Sequence, residues 1–296
     1  MLKIKVAILI GALAVGGTAV ADLNTGLMAY YSFNGNANDE SGNGNDGTVN
    51  NAVLTIDKAG NSGSAYKFDG DNDSIILPNT AIDGLGDMSF SAWFKLDDSG
   101  NSSLISGASA GASNGNEVLF FLPKQGAVTK YIYIKEATYT AKTTVTKGKW
   151  YHVIFTRNAV SGQVSLYFNG VLNSTATLPT GNIRVDANGL ILGREQDCVG
   201  GCFVADEDFN GIIDEVRIYN RILSASEIKQ LYYMDFEVEG TVTKMKSLGT
   251  ICENLTTGES VTIPEKRNVK RWNCESAGLT IKTNDRLKIT IKGNSQ

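Results

Sequence analysis

Period-two alternation constrains this chain more than any other feature. Residues 88–96 place Met88, Phe90, Ala92, Phe94 and Leu96 on one face and Ser89, Ser91, Trp93 and Lys95 on the other. A strand points successive side chains to opposite faces, so this is the pattern of a strand rather than of a helix. Val164–Phe168, Asn169-Gly170 and Val171-Leu172 read as a hairpin, because Asn-Gly accepts the positive φ of a tight turn. Further strands are predicted at 26–33, 65–68, 74–77, 117–122, 130–135, 150–157, 189–193 and 211–219. Clusters of Gly, Asn, Asp and Ser separate them. That spacing predicts an all-β, two-sheet antiparallel jelly-roll sandwich. One helix is predicted near residue 228, where Ser224 and Glu227 have capping-box spacing and an apolar run follows.

The first 21 residues read differently. Lys3 and Lys5 precede an apolar run from Val6 to Val15, and small residues end it at Ala21. This is the pattern of a secretory signal peptide over residues 1–21. The run is too short for a spanning helix, which needs about 20 residues. No membrane span is expected, and the chain is expected to be secreted, periplasmic or held at the cell surface. Export permits disulfides. The four cysteines fall into two local pairs, Cys198 with Cys202 and Cys252 with Cys274, although four cysteines allow three connectivities.

Charge and composition divide the remainder at about residue 235. Residues 22–235 hold 15 Lys and Arg against 24 Asp and Glu, and residues 236–296 hold 10 against 7. The larger segment is a poor match for nucleic acid, whose affinity rests on neutralised phosphates. The C-terminal segment alternates again at 279–282 and 287–292 and reads as a small basic β-domain. Its Lys266, Arg267, Lys270, Arg271 and Trp272 suit an acidic partner or an exposed, solvated turn.

The chemistry-bearing candidates are few. A single His (His152) excludes multi-His metal catalysis within one chain. The segment Asn34–Asn45 is nearly all Asn, Asp, Ser and Gly, which suits calcium, a cation of six to eight oxygen ligands. Asp39, Ser41 and Asn45 are its candidate ligands. The alternative is a surface loop in which Asp39 bonds local amides. Asp206–Gly211 matches half of an EF-hand loop, but Arg217 stands where the closing Glu belongs. Asp69, Asp71 and Asp73 read as a solvated turn. For a sugar ligand the candidates are Tyr131, Tyr133 and Tyr139 with Asn114 and Asn116. The loop holding Glu195, Gln196, Asp197 and the Cys198–Cys202 pair is another. Trp93, Trp150 and His152 read as structural. No nucleophile elbow or phosphate loop is present, and Asp214 and Glu215 are adjacent, so in a regular strand they face opposite ways. The chain is not expected to be an enzyme.

Six pieces in order carry a family resemblance. They are Tyr30–Gly47, Ala65–Asp73, Phe90-Ser91-Ala92-Trp93-Phe94-Lys95, Trp150-Tyr151-His152-Val153, Leu166-Tyr167-Phe168-Asn169-Gly170 and Asn210–Ser224. Over roughly residues 26–234 the chain resembles the laminin-G-like group of the concanavalin A-like lectin/glucanase superfamily. The resemblance implies a jelly roll, often with a structural calcium ion, and brings Asp214 to the same site as Asp39. The strand pattern Glu-x-Asp-x-x-Glu of the related glucanases is absent. The implied function is a non-catalytic binding module for carbohydrate or a surface glycoprotein. A protein-binding adhesion or structural module is the alternative, and a glycoside hydrolase or polysaccharide lyase is a third reading.

Overall fold

The computed structural model describes residues 22–97, 102–111, 116–122, 132–135, 137–139, 145–204, 207–233, 247–254, 260–263 and 287–293. The expected signal segment, Tyr131, Asn114, Cys274 and the basic cluster Lys266–Trp272 lie outside the described residues. The chain forms two compact units, residues 21–229 and a second containing 230–296.

In chain order the first strands are β1 (Leu27–Tyr31), β2 (Thr48–Asn50), β3 (Val53–Thr55), β4 (Ala65–Asp69), β5 (Ser74–Leu77) and β6 (Met88–Leu96). Next come β7 (Ser102–Ala108), β8 (Asn116–Leu122), β9 (Ile132–Ile134), β10 (Ala137–Tyr139), β11 (Trp150–Arg157) and β12 (Gln163–Phe168). β13 (Val171–Thr177), β14 (Leu190–Leu192), β15 (Asn210–Tyr219) and α1 (Ala225–Tyr233) follow. The second unit holds β16 (Ser247–Asn254), β17 (Ser260–Ile263) and β18 (Leu287–Gly293) as a three-stranded sheet with β16 central. Cys252 lies in β16, opposite Val261 and Ile289.

The large unit is the expected sandwich. One sheet runs β13-β12-β11-β6-β15-β4-β3, with β1 also on β15, and the other runs β10-β9-β8-β7-β14-β5-β2. The predicted inward face of β6 (Met88, Phe90, Ala92, Phe94, Leu96) lies wholly in the core. It meets Phe155 of β11 and Ile213 of β15, and the second sheet contributes Ile75, Leu77, Phe120, Ile134, Leu190 and Leu192. Each of these side chains larger than Ala contributes about 1.5–3 kcal/mol on burial.

Ser89, Ser91 and Trp93 on the outer face of β6 are buried as well, which alternation alone does not foresee. Ser89 is covered by the chain entering α1, where its hydroxyl donates to the Arg221 carbonyl and accepts from the Leu223 N–H. Ser91 is paired with His152, and Trp93 stacks on the same imidazole at 5.0 Å. The capping box closes reciprocally: the Ser224 N–H donates to Glu227, and the Glu227 N–H donates to the Ser224 hydroxyl.

β15 is irregular where it matters. Its first half pairs β4 and its second half pairs β1, while β6 flanks it throughout. The changeover is a bulge between Asp214 and Arg217, with Glu215 at φ 53°. An extra residue inserted this way breaks the strand's side-chain alternation.

Gly193 ends β14 at φ 85°, and a Cβ there would lie 2.3 Å from the Phe68 ring. Strained φ and overpacking together predict that Gly193→Ala costs about 2–4 kcal/mol. A thermal melt of the variant is therefore expected about 5–15 °C below wild type; an unchanged melt would show that this turn is not fixed by Phe68.

Candidate functional site

The Asn-rich loop after β1 closes on itself. Asp39 Oδ1 accepts the N–H groups of Tyr30 and Ser41, both at 2.9 Å. Its Oδ2 accepts the Ser41 hydroxyl at 2.8 Å and the Asn45 N–H at 3.0 Å. Asn45 donates its side-chain amide to the Met28 carbonyl, accepts the Thr80 hydroxyl on Oδ1, and accepts the Tyr31 hydroxyl on its backbone carbonyl. Partial burial alone would raise the Asp39 pKa, but the four hydrogen bonds outweigh it and hold the carboxyl below its ordinary value.

These bonds bear on the expected calcium ligands. A carboxylate offers about four lone-pair positions, and four protein donors already fill those of Asp39. Asp214 has its Oδ2 3.8 Å from the Lys58 ammonium, which also sits 4.8 Å from the Trp93 ring. As arranged, the Asp39 carboxylate, the Asn45 side-chain oxygen and Asp214 each have a protein partner. Among the described residues, no group of three or more His, Cys, Asp or Glu is placed to hold a metal.

The bulge also changes the reading of the adjacent carboxylates. Glu215 accepts the Tyr30 hydroxyl at 3.0 Å and pairs with Arg217 at 2.7 Å, and the Arg217 guanidinium stacks on the Tyr30 ring at 3.9 Å. Asp214 and Glu215 are thus both buried and both paired with cations rather than divided between the two faces of a regular strand. The half-EF-hand segment runs into β15, and its Asp208 is tied to Arg194. The Asp69–Asp73 turn is also internally bonded: the Asp69 N–H donates to Asp73 and the Asp71 N–H to Asp69.

A better-built site lies at the end of β14. After Gly193 the chain forms a loop closed by the expected Cys198–Cys202 disulfide, with Cα atoms 5.4 Å apart. Gln196 is fully buried and anchors the loop to the sheet. Its side-chain amide donates to the Gly189 carbonyl at 2.8 Å and the Ser106 hydroxyl at 3.0 Å, and its oxygen accepts the Gly200 N–H at 2.8 Å. Ser106 in turn donates to the Arg194 carbonyl. Glu195 is buried and Asp197 exposed.

The same end of the sheet receives the β7–β8 hairpin. The Ala108 N–H donates to the Gly189 carbonyl that Gln196 also uses, and Ala108 stands opposite Asn116 at the start of β8. The side chains of Asn116 and Tyr133 lie outside the described residues, although Tyr133's backbone in β9 pairs with Leu119. Tyr139 in β10 packs partly buried against the core. The structure therefore brings the ends of β7 and β8 and the start of the disulfide loop to one sheet end, and Tyr139 packs against the core.

Sequence reasoning missed Arg194 and Phe203. The Arg194 guanidinium lies 3.8 Å over the Phe203 ring, and its Nε donates to Asp208 Oδ1 at 3.1 Å. Burial raises the Asp208 pKa, against the lowering pull of the Asn72 N–H and Arg194. The available signal was an Arg just before, and an aromatic just after, a short Cys-x-x-x-Cys loop.

The model of the concanavalin A-like lectin/glucanases superfamily, laminin-G type, matches residues 68–229. The chain belongs to the concanavalin A-like lectin/glucanase superfamily. C-reactive protein 1.4 of Limulus polyphemus is 29% identical over 160 residues, covering 53% of this chain and 65% of that protein. The pentraxin-related protein PTX3 of Mus musculus is 34% identical over 119 residues, 39% of this chain and 31% of that protein. This superfamily member thus spans less than two thirds of the length of either relative. Among solved structures, domain 4 of AbnA, a GH43 extracellular arabinanase from Geobacillus stearothermophilus in complex with arabinotriose, matches with TM-score 0.53 and 25% identity. That match covers 70% of this chain and 98% of the domain. A Trypanosoma rangeli sialidase at TM-score 0.56 and 20% identity shares the fold. Among the described residues, no helix is long and apolar enough to cross a membrane.

Asp39→Asn replaces an acceptor by a donor facing N–H groups, at an expected cost of about 1–3 kcal/mol. Because the folded pKa lies below the unfolded one, Asp39 stabilises above its unfolded value and that contribution fades as pH falls through the folded value. Melts at neutral pH are expected to separate variant from wild type equally in calcium and in EDTA, and the gap to narrow in strong acid. A gap that appears only with calcium would assign Asp39 a metal-ligand role.

Proposed function

We propose that this protein is an exported, non-catalytic module that binds carbohydrate or a surface glycoconjugate through the end of the second sheet. The binding surface comprises the Arg194–Phe203 loop and the neighbouring ends of β7 and β8. The observation that carries the reading is the cross-linked loop itself: a disulfide, the buried Gln196 amide and the Arg194–Asp208 pair tie it down without any ligand. Preorganisation lowers the ordering cost of binding. The match over 98% of an arabinanase domain solved with arabinotriose supports a sugar ligand. Residues 1–21 are assigned to export, with the mature chain beginning at Asp22 and residing outside the cytoplasm.

A protein partner is the second reading, favoured by one observation. Edge strand β3 and the residue after it expose Val53, Leu54 and Ile56, with 57%, 41% and 54% of each surface accessible. Uncovered apolar edge residues are a means of joining another chain.

Isothermal titration with arabinotriose and a panel of neutral oligosaccharides tests the module. Wild type is expected to bind at least one without shortening it, as chromatography of the recovered sugar would show. The double variant Cys198→Ser/Cys202→Ser is expected to bind about tenfold more weakly, equivalent to ~1.4 kcal/mol. Unchanged affinity in that variant would remove the loop from the site, and release of shorter products would make the protein an enzyme.

A further inference from the structure

The Arg194–Phe203 pair has the makings of a recognition element. Arg194 is held twice, by its Nε bond to Asp208 and by its stack on Phe203. Asp208 is itself fixed by the Asn72 N–H at 2.8 Å. Among the described residues, the two terminal amino groups of Arg194 make no hydrogen bond to protein, and its side chain keeps 19% of its surface accessible. A structural arginine normally spends those groups: Arg157, fully buried, donates through its terminal nitrogens to the carbonyls of Gly86, Pro179 and Gly181. Phe203 follows Cys202 directly, so the disulfide limits its backbone freedom, and Val204 beside it is 41% exposed.

Resting on the binding-module reading above, we propose that Arg194 and Phe203 together recognise a neutral oligosaccharide. The ring surface that Arg194 leaves uncovered, with Val204, takes the apolar face of a sugar ring. The two free amino groups of Arg194 donate to hydroxyl or ring oxygens at the sugar's edge. The planar, preoriented guanidinium suits this paired donation better than a flexible ammonium. Charge selects against an acidic sugar. Residues 22–235 carry nine more acidic than basic side chains, and Glu195, Asp197, Glu207 and Asp208 lie in or next to this loop. One arginine already paired with Asp208 does not reverse that field.

The experiment titrates the full chain with arabinotriose and neutral hexose oligosaccharides, and with trigalacturonate as the acidic probe. Wild type is expected to bind a neutral probe and to bind trigalacturonate at least tenfold more weakly. Phe203→Ala is expected to lose about tenfold in affinity, ~1.4 kcal/mol, and Phe203→Trp to recover most of it. Arg194→Lys, which keeps the charge opposite Asp208, is expected to lose affinity without losing the fold. Near-ultraviolet circular dichroism checks each variant, and Phe203→Leu replaces any Phe203→Ala protein that does not fold. Neutral-sugar binding unaffected by the Phe203 and Arg194 changes would overturn this inference and leave the module reading standing. Tighter binding of trigalacturonate would overturn the ligand class. Failure of wild type to bind any probe would count against both the inference and the module reading.

Discussion

The bulge in β15 is the constraint on which the large unit turns. One strand has to serve β4 along its first half and β1 along its second while keeping β6 as a continuous neighbour. Where β4 gives way to β1, the ladder with β6 takes in one extra residue, and Glu215 lies within that bulge. Its cost is a non-glycine residue at φ 53° and buried carboxylates at 214 and 215. Lys58, Arg217 and the Tyr30 hydroxyl meet those carboxylates. Removing one partner of such a buried pair is more damaging than the pair is stabilising. That asymmetry explains why the cations are themselves pinned, Arg217 on Tyr30 and Lys58 beside Trp93.

The same logic separates the two polar loops. The loop around Asp39 directs its N–H donors inward, onto one carboxylate, and so consumes its own oxygen acceptors. The loop around Cys198 spends Gln196 on anchorage and leaves Asp197 and part of Arg194 facing solvent. One arrangement is a structural clasp. The other is a rigid frame with unspent hydrogen-bonding capacity, which is what a binding site on a β-scaffold requires.

Much of the fold was legible in the sequence, and the exceptions have physical causes. β6, β11 and the β12–β13 hairpin were visible because bulky apolar residues alternate there and Asn169-Gly170 marks the turn. β7 was not: Ser102, Ser103, Ser106 and Gly107 make it look like loop, yet it is central to its sheet and buried throughout. Its serines sit under covering chain, as Ser106 does beneath Gln196, so composition misstates their environment. The Ser224–Glu227 cap and the Cys198–Cys202 bridge could be read because each depends only on short spacing. The role of Asp39 could not. Asn, Asp, Ser and Gly in a row are equally compatible with ligating a cation and with satisfying their own amides, and only the direction of the N–H groups distinguishes the two. Arg194 and Phe203 were missed because their significance arises from a stacking contact nine residues apart in sequence.

The central claim is that ligand engages the disulfide-closed end of the second sheet. Hydrogen exchange measured with and without a bound neutral oligosaccharide tests it most directly. The account predicts ligand-dependent protection concentrated in residues 193–204 and the adjoining 106–118, with residues 34–47 unchanged. Protection confined to residues 34–47, or to the β3 edge, would contradict it.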